Sequence, residues 1–214
     1  MFRDRIDAGK QLSQRLLKYK IQNVVVLAIP RGGLPIGAIV AKTLKVPLDV
    51  ALSKKIGHPH HKEYAIGAIS LEDIILSNAI GIDQDYIENE TKKIRKRLQE
   101  LHNQYYKKRI PENLEGKTVI IVDDGIATGN TLLVTIALVT KQKPAKIIVA
   151  IPVAPSSALQ KLKNNPKVDE VVCLLEPHEF RAVGQFYDIF DQVSDQDAIR
   201  LLEESTVAKK YKRK

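Results

Sequence analysis

The stretch from Val119 to Leu133 constrains this chain most. Val119, Ile120, Ile121 and Val122 form an apolar, β-branched run that ends in two acids, Asp123 and Asp124. Gly125, Ile126, Ala127, Thr128, Gly129, Asn130 and Thr131 follow, and then apolar residues that suit a buried helix to Lys141. Strand, tight loop and helix in that order leave the first amides of the helix unpaired and facing the loop mouth. Those amides and the positive end of the helix dipole favour an anion, above all a phosphate. Gly125 and Gly129 allow close backbone approach or a positive φ, and Thr128 and Thr131 add hydroxyl donors. The two carboxylates suit neutral hydroxyls or a hydrated divalent cation. A ligand carrying phosphate, diol and metal together would satisfy every group.

Other patterns compete for this stretch. A Walker A loop requires Gly-Lys-Ser/Thr at a fixed distance after its first glycine, and none follows. Paired acids after a strand also occur in receiver-domain pockets, but those usually open their domain, whereas this pair lies past mid-chain. The simplest alternative is a strand-to-helix turn capped by Thr128 or Asn130.

The run Asp123-Asp124-Gly125-Ile126-Ala127-Thr128-Gly129-Asn130-Thr131 resembles the phosphoribosyl-pyrophosphate (PRPP) motif of type I phosphoribosyltransferases: an apolar strand, two acids, three variable residues and Thr-Gly-x-Thr. The resemblance spans roughly residues 20 to 175. It implies that Gly125, Ile126, Ala127, Thr128, Gly129, Asn130 and Thr131 hold the 5-phosphate, and that Asp123 and Asp124 face the ribose hydroxyls. Pro30-Arg31-Gly32-Gly33 stands where the family places its pyrophosphate loop. Arg31 can grip phosphate oxygens in a fork, and Gly32 and Gly33 bare the amides an anion nest needs. The family also implies a strained or cis peptide there. One of Lys54 and Lys55 is implied as a pyrophosphate contact, with the following loop closing over the reaction centre. Catalysis is thus assigned to Asp123, Asp124, Lys54 and Lys55. Mg²⁺ is the implied cofactor, carried on substrate and water with no direct protein ligand.

The remainder of the chain is compatible. Apolar positions at Ile6, Leu12, Leu16 and Leu17 predict an amphipathic helix over 3–19. Val24 to Ile29 reads as a buried strand, Leu34 to Leu44 as a helix, and Val46 to Leu52 as a second strand, together one βαβ unit. Residues 53–64, rich in Lys, His, Gly and Pro, read as a loop, and a hairpin follows over 64–70 and 74–77. Asp83 to about Lys108 reads as a helix with Ile87, Ile94, Leu98, Leu101 and Tyr105 on one face. Strands at 118–123, 146–151 and 168–174 alternate with helices at 129–141 and 156–163. The expected fold is α/β, a three-layer doubly wound sheet, mostly parallel, in the order 3-2-1-4-5-6 with strand 3 antiparallel. The expected organisation is a core over 1–175, a hood-like or core-closing segment over 176–205, and a basic tail over 206–214.

Two features bear on the acceptor. Phe180, Phe186 and Tyr187 cluster in a chain with 5% aromatic residues, and are candidates to floor an acceptor pocket, or equally to close the core. Ala127 stands where the 6-oxopurine enzymes of the family carry an acidic base, which argues against hypoxanthine or guanine. The expected acceptor is nitrogenous and unidentified. His58, His60 and His61 lie too close together in one loop to form an ordinary zinc site.

The formal charge of +9 arises from 34 basic and 25 acidic residues, and five of the last six residues are basic. A basic tail is usually a solvated end; the remaining excess can steer a polyanionic substrate. One cysteine, Cys173, excludes an internal disulfide. No apolar run approaches the roughly 18 residues of a membrane helix. The expectation is a soluble cytoplasmic enzyme of nucleotide metabolism that releases pyrophosphate from PRPP, a homodimer by resemblance. The alternative function is a non-catalytic PRPP sensor that binds nucleic acid through its basic surface, although no nucleic-acid-binding signature accompanies the charge.

Overall fold

The computed structural model describes residues 1–62, 64–77, 79–107 and 109–210, without the side chains of 206–210. Glu63, Lys108, where the long helix was expected to end, and the last four residues of the basic tail, including Lys212, Arg213 and Lys214, lie outside the described residues.

A five-stranded parallel sheet forms the centre, in the order β2-β1-β6-β7-β8. Its strands are β1 (Val24–Ala28), β2 (Leu48–Val50), β6 (Thr118–Val122), β7 (Lys146–Val153) and β8 (Glu170–Leu175). Alternate residues along each strand serve opposite faces. Val24, Val26, Ala28, Ile120, Val122, Ile148 and Ala150 pack toward α1 (Arg5–Arg15), α2 (Gly33–Leu44) and α6 (Asp195–Lys210). Val25, Leu27, Val119, Ile121, Ile147, Val149 and Ile151 pack toward α4 (Asn130–Lys141) and α5 (Ser156–Lys163). Cover on both faces explains why these strands are continuous apolar runs.

The fold class is the α/β arrangement expected, but the antiparallel third strand is not at the edge of this sheet. Strands β3 (Lys54–Gly57), β4 (Ala65–Ile69) and β5 (Ile74–Leu76) form a separate antiparallel sheet. In the expected numbering the main sheet therefore reads 2-1-4-5-6. The hairpin is correct, whereas Lys54–Gly57, expected as loop, is a strand. Its ladder pairs Lys54 with Ile69, Lys55 with Ala68 and Ile56 with Gly67, so its partner is supplied from further along the chain and leaves no local sign. The small sheet is held by cover from two sides. Ile56, Ile66 and Ile69 pack on Ile87 and Leu98 of α3 (Gln84–Tyr105), while Ala68 meets Val134 and Leu138 of α4.

The edge of β2 is closed instead by the segment after α3. Asp49, only 3% exposed, accepts hydrogen bonds from the Tyr106 hydroxyl (2.7 Å), the Glu112 amide (2.6 Å) and Arg109 (3.3 Å). Arg109 also donates to the Leu48 carbonyl at 2.8 Å. An open edge strand invites foreign pairing, and these contacts block it. On the other flank, α6 seats Ala198 and Leu202 in the core and runs to Lys210, into the stretch expected as tail.

Candidate active site

Strands β1 and β6 are parallel neighbours, registered from Val24 opposite Thr118 to Ala28 opposite Val122. The loops that follow them therefore open on the same end of the sheet, and they touch. The Ile29 amide donates to the Val122 carbonyl at 2.9 Å. A Cβ on Gly32 would collide with Asp124 Oδ2, and one on Gly33 would lie 2.6 Å from the Val122 carbonyl oxygen. Both glycines are required by this approach. The Pro30–Arg31 peptide is cis, at the point where the resemblance implied one. Gly33→Ala must push backbone apart rather than a side chain, so it should cost about 1–3 kcal/mol in stability, readable as a lower denaturant midpoint.

The loop from Gly125 to Thr131 is tied down at one point. The Ile126 amide donates to the Val153 carbonyl (3.1 Å), and its side chain is buried among the α4 and α5 core residues. Gly125 has φ +152°, and a Cβ there would meet Val183 and Val153 at 2.6 and 2.8 Å. Gly129, at φ +75°, leads into α4. Among the described residues the amides of Ala127, Thr128, Gly129 and Thr131 have no protein acceptor, and the Asn130 amide has only a long contact to Thr128 Oγ1, 3.4 Å. Ala127, Thr128 and Thr131 are exposed. This is a bare-amide cradle at a helix N-terminus with room for an anion.

The two acids differ. Asp123 Oδ1 accepts the Asp124 amide at 2.9 Å. Asp124 Oδ2 accepts both Nε and Nη2 of Arg5, each at 2.8 Å, and the Asp124 carbonyl accepts the Tyr187 hydroxyl at 2.6 Å. Burial, then the neighbouring Asp124 charge, raises the Asp123 carboxyl well above the usual carboxylate range. Burial also raises Asp124, opposed by Arg5. A carboxyl raised on folding contributes stability in full below its unfolded value of about 3.9, and that contribution is lost as pH rises through the folded value. Asp123→Asn keeps the oxygen that accepts the Asp124 amide and removes the buried charge. It should therefore melt above the parent protein at pH 8, with the gap shrinking toward pH 4 in a thermal series.

Next to the Arg31 loop lies a cavity of about 490 Å³ walled by Arg31, Lys54, Lys55, Thr131, Arg97 and Tyr105; Asp123 and Asp124 are not among its lining residues. It unites the Arg31 loop, the first residues of β3 and the start of α4. Arg31 also approaches Asp195 at the start of α6, at 3.6 Å. Arg97 was missed from sequence; it adjoins the apolar face of α3 that the periodicity does reveal. The Tyr105 hydroxyl has no hydrogen-bond partner, and burial pushes it up to about 12, so it remains a donor.

The aromatic cluster is a correction. Phe186 and Tyr187, candidates for an acceptor floor, are 8% and 5% exposed and belong to the core beside α1. Phe180 stacks on Phe186 at 5.4 Å. Tyr187 serves the site from behind, through the Asp124 backbone. The rings of His60 and His61 each lie 5.8 Å from that of His58, and no three His, Cys, Asp or Glu side chains converge as metal ligands among the described residues.

A family model described as a phosphoribosyl transferase domain matches residues 3–184. The chain belongs to the phosphoribosyl transferase family. A curated relative in Mycobacterium tuberculosis, "Putative phosphoribosyl transferase Rv0571c", is 38% identical over 210 residues. That match covers 95% of this chain but 46% of the relative, so the chain spans about half its length. The crystal structure of TT1426 from Thermus thermophilus is 36% identical, with a TM-score of 0.88 over 95% of this chain and 98% of that one. A Neisseria gonorrhoeae protein crystallised with ppGpp shares the fold alone, at 13% identity and TM-score 0.52, over 95% of this chain and 98% of that one. Among the described residues no helix is long and apolar enough to cross a membrane.

Proposed function

We propose that this phosphoribosyl transferase moves ribose 5-phosphate from PRPP to a nitrogenous small molecule and releases pyrophosphate. The observation that carries the reading is the contact between the two loops: Gly32 lies against Asp124, so an anion over each loop can belong to one sugar diphosphate. In this reading the amides from Ala127 to Thr131 bind the 5-phosphate, and the acids accept hydrogen bonds from the ribose hydroxyls. Arg31, the Gly32 amide, and Lys54 with Lys55 hold the diphosphate; the Gly33 amide, expected to be bare, instead donates to the Ile29 carbonyl at 3.0 Å because the loop turns directly into α2. The acceptor nitrogen forms its bond to C1 as the bond from C1 to the diphosphate oxygen breaks, and that electron pair leaves with pyrophosphate. Cations placed before the reaction lower its barrier by meeting charge as it develops. Ala127, exposed at the loop, supplies no acid to a 6-oxopurine, so hypoxanthine and guanine should be poor acceptors.

Phosphoribosyl transferases generally use Mg²⁺ with PRPP. The donor set fits an ion that arrives on substrate oxygens and water, because the described residues offer no cage of three ligands. When bound, such an ion neutralises diphosphate charge. Chelation by EDTA should abolish turnover, and added Mg²⁺ should restore it.

The test is pyrophosphate release from Mg²⁺ and PRPP across a panel of nitrogenous acceptors. Release with at least one acceptor, lost on chelation, supports the reading. Tight PRPP binding without release on any acceptor would favour a sensor.

A further inference from the structure

The sequence singled out Asp124 but nothing at Arg5, and the two are 119 residues apart. In the fold they are bound, both nearly shielded from solvent, with 12% and 14% of their side chains exposed. Arg5 is the first residue of α1, whose start is fixed by its cap: Asp4 Oδ1 accepts the Asp7 amide at 2.7 Å. The strand-like segment before it pairs with the C-terminal part of the core. The Phe2 amide donates to the Phe186 carbonyl, and the Asp188 and Ile189 amides donate to the carbonyls of Phe2 and Arg3, all at 2.8–2.9 Å.

The guanidinium is then held on all sides. Nε and Nη2 reach Asp124 Oδ2, Nη1 donates to the Asp191 carbonyl at 2.7 Å, and the plane lies 3.9 Å over the Phe190 ring. Phe190 packs on Tyr187 at 4.9 Å, and the Tyr187 hydroxyl returns to the Asp124 carbonyl. Asp124, Arg5, Phe190 and Tyr187 thus close a ring of contacts behind the acid.

Two consequences follow for the crevice. Oδ2 of Asp124 is held by Arg5 and faces the Gly32 backbone, and the Asp123 side chain hydrogen-bonds the same carboxyl, so the guanidinium fixes how the acid pair is presented to the crevice. The second is electrostatic. A polyanion must approach two adjacent carboxylates, and like charges at short range oppose it. Among the described residues Arg5 is the cation that pairs with either acid.

We propose that Arg5 is a positioning residue for the sugar phosphate: it orients Asp124 toward the ribose hydroxyls and cancels the charge that would repel the incoming phosphates. This rests on the PRPP reading given above. Arg5 acts through Asp124 and does not touch the substrate. A role in fold stability alone would give a different signature, because the two side chains would then couple in unfolding but not in binding.

The test is a double-mutant cycle on the full chain, with ribose 5-phosphate and Mg²⁺-PRPP as calorimetric probes and melting curves run in parallel. Arg5→Met keeps the stem over Phe190 and removes the charge. It should weaken binding of both probes by about 10- to 100-fold, while Arg5→Lys recovers part of the loss. In an Asp124→Asn background, Arg5→Met should change affinity less than about twofold, since neighbouring groups acting as one unit are not additive. If Arg5→Met does not fold, Arg5→Lys and Arg5→Gln complete the same cycle. Equal losses in both backgrounds, or unchanged affinity, would overturn the positioning role while leaving the PRPP reading intact. A parent protein that binds neither probe would overturn the PRPP reading and this role with it.

Discussion

Asp124→Asn should reduce pyrophosphate release by about 10- to 150-fold, the loss expected for one charge-assisted hydrogen bond worth about 1.5–3 kcal/mol. The amide keeps the shape that fits against Gly32, and the Tyr187 hydroxyl still reaches the backbone carbonyl of residue 124. The change also leaves the Arg5 guanidinium, 12% exposed, without its charge partner, so the melting temperature should fall, and the rates are to be compared well below it. The side chain's contacts, Arg5 on Oδ2, the Gly32 backbone and the Asp123 carboxyl, all lie at the crevice wall. Steady-state rates over a range of PRPP concentrations check it. A rate within about twofold of the parent would remove Asp124 from the ribose site.

Arg109→Leu should be the most damaging single change to stability, at about 3–5 kcal/mol, because it strands a buried carboxylate. Arg109 and Asp49 have 7% and 4% of their side chains exposed, and burial already raises Asp49 against the lowering effect of Arg109. Without the guanidinium, Asp49 rises further. A protonated Asp49 needs no cation, so the variant's deficit should be largest near neutral pH and shrink as pH falls through the raised value. Urea unfolding at pH 7.5 and pH 5 separates the two, and adding Asp49→Asn to the variant should recover part of the loss at pH 7.5. The edge of β2 would loosen as well, since Arg109 also holds the Leu48 carbonyl.

Local sequence carried the two loops because their chemistry is local. The glycines, hydroxyls and acids of residues 123–131 stand in one window, and the apolar run before them needs no distant partner to be read as a strand. The same holds for the Asp83 cap, which accepts the Asp85 amide at 3.1 Å, and for the α5 boundaries, which match residue for residue. The misreadings were of another kind. Lys54–Gly57 carries two lysines and a glycine, poor signals for a strand, and becomes one only because Ala65–Ile69 returns beside it. Phe186 and Tyr187 form an aromatic cluster in sequence that suits a pocket or a core equally; the choice fell to Phe2, which packs 5.3 Å from Tyr187.

By itself, then, the sequence determined the alternation of strands and helices and the glycine-bearing turns that follow β1 and β6, since backbone conformation acts over a few residues. Tertiary structure decided what lies behind and around those loops. It brought Arg5 to Asp124, Arg97 and Tyr105 to the cavity wall, and the antiparallel strands into a sheet of their own. The physical reason is that a charge pair or a ladder between distant segments exists only once the core has brought them within hydrogen-bonding distance, and no local propensity encodes that approach.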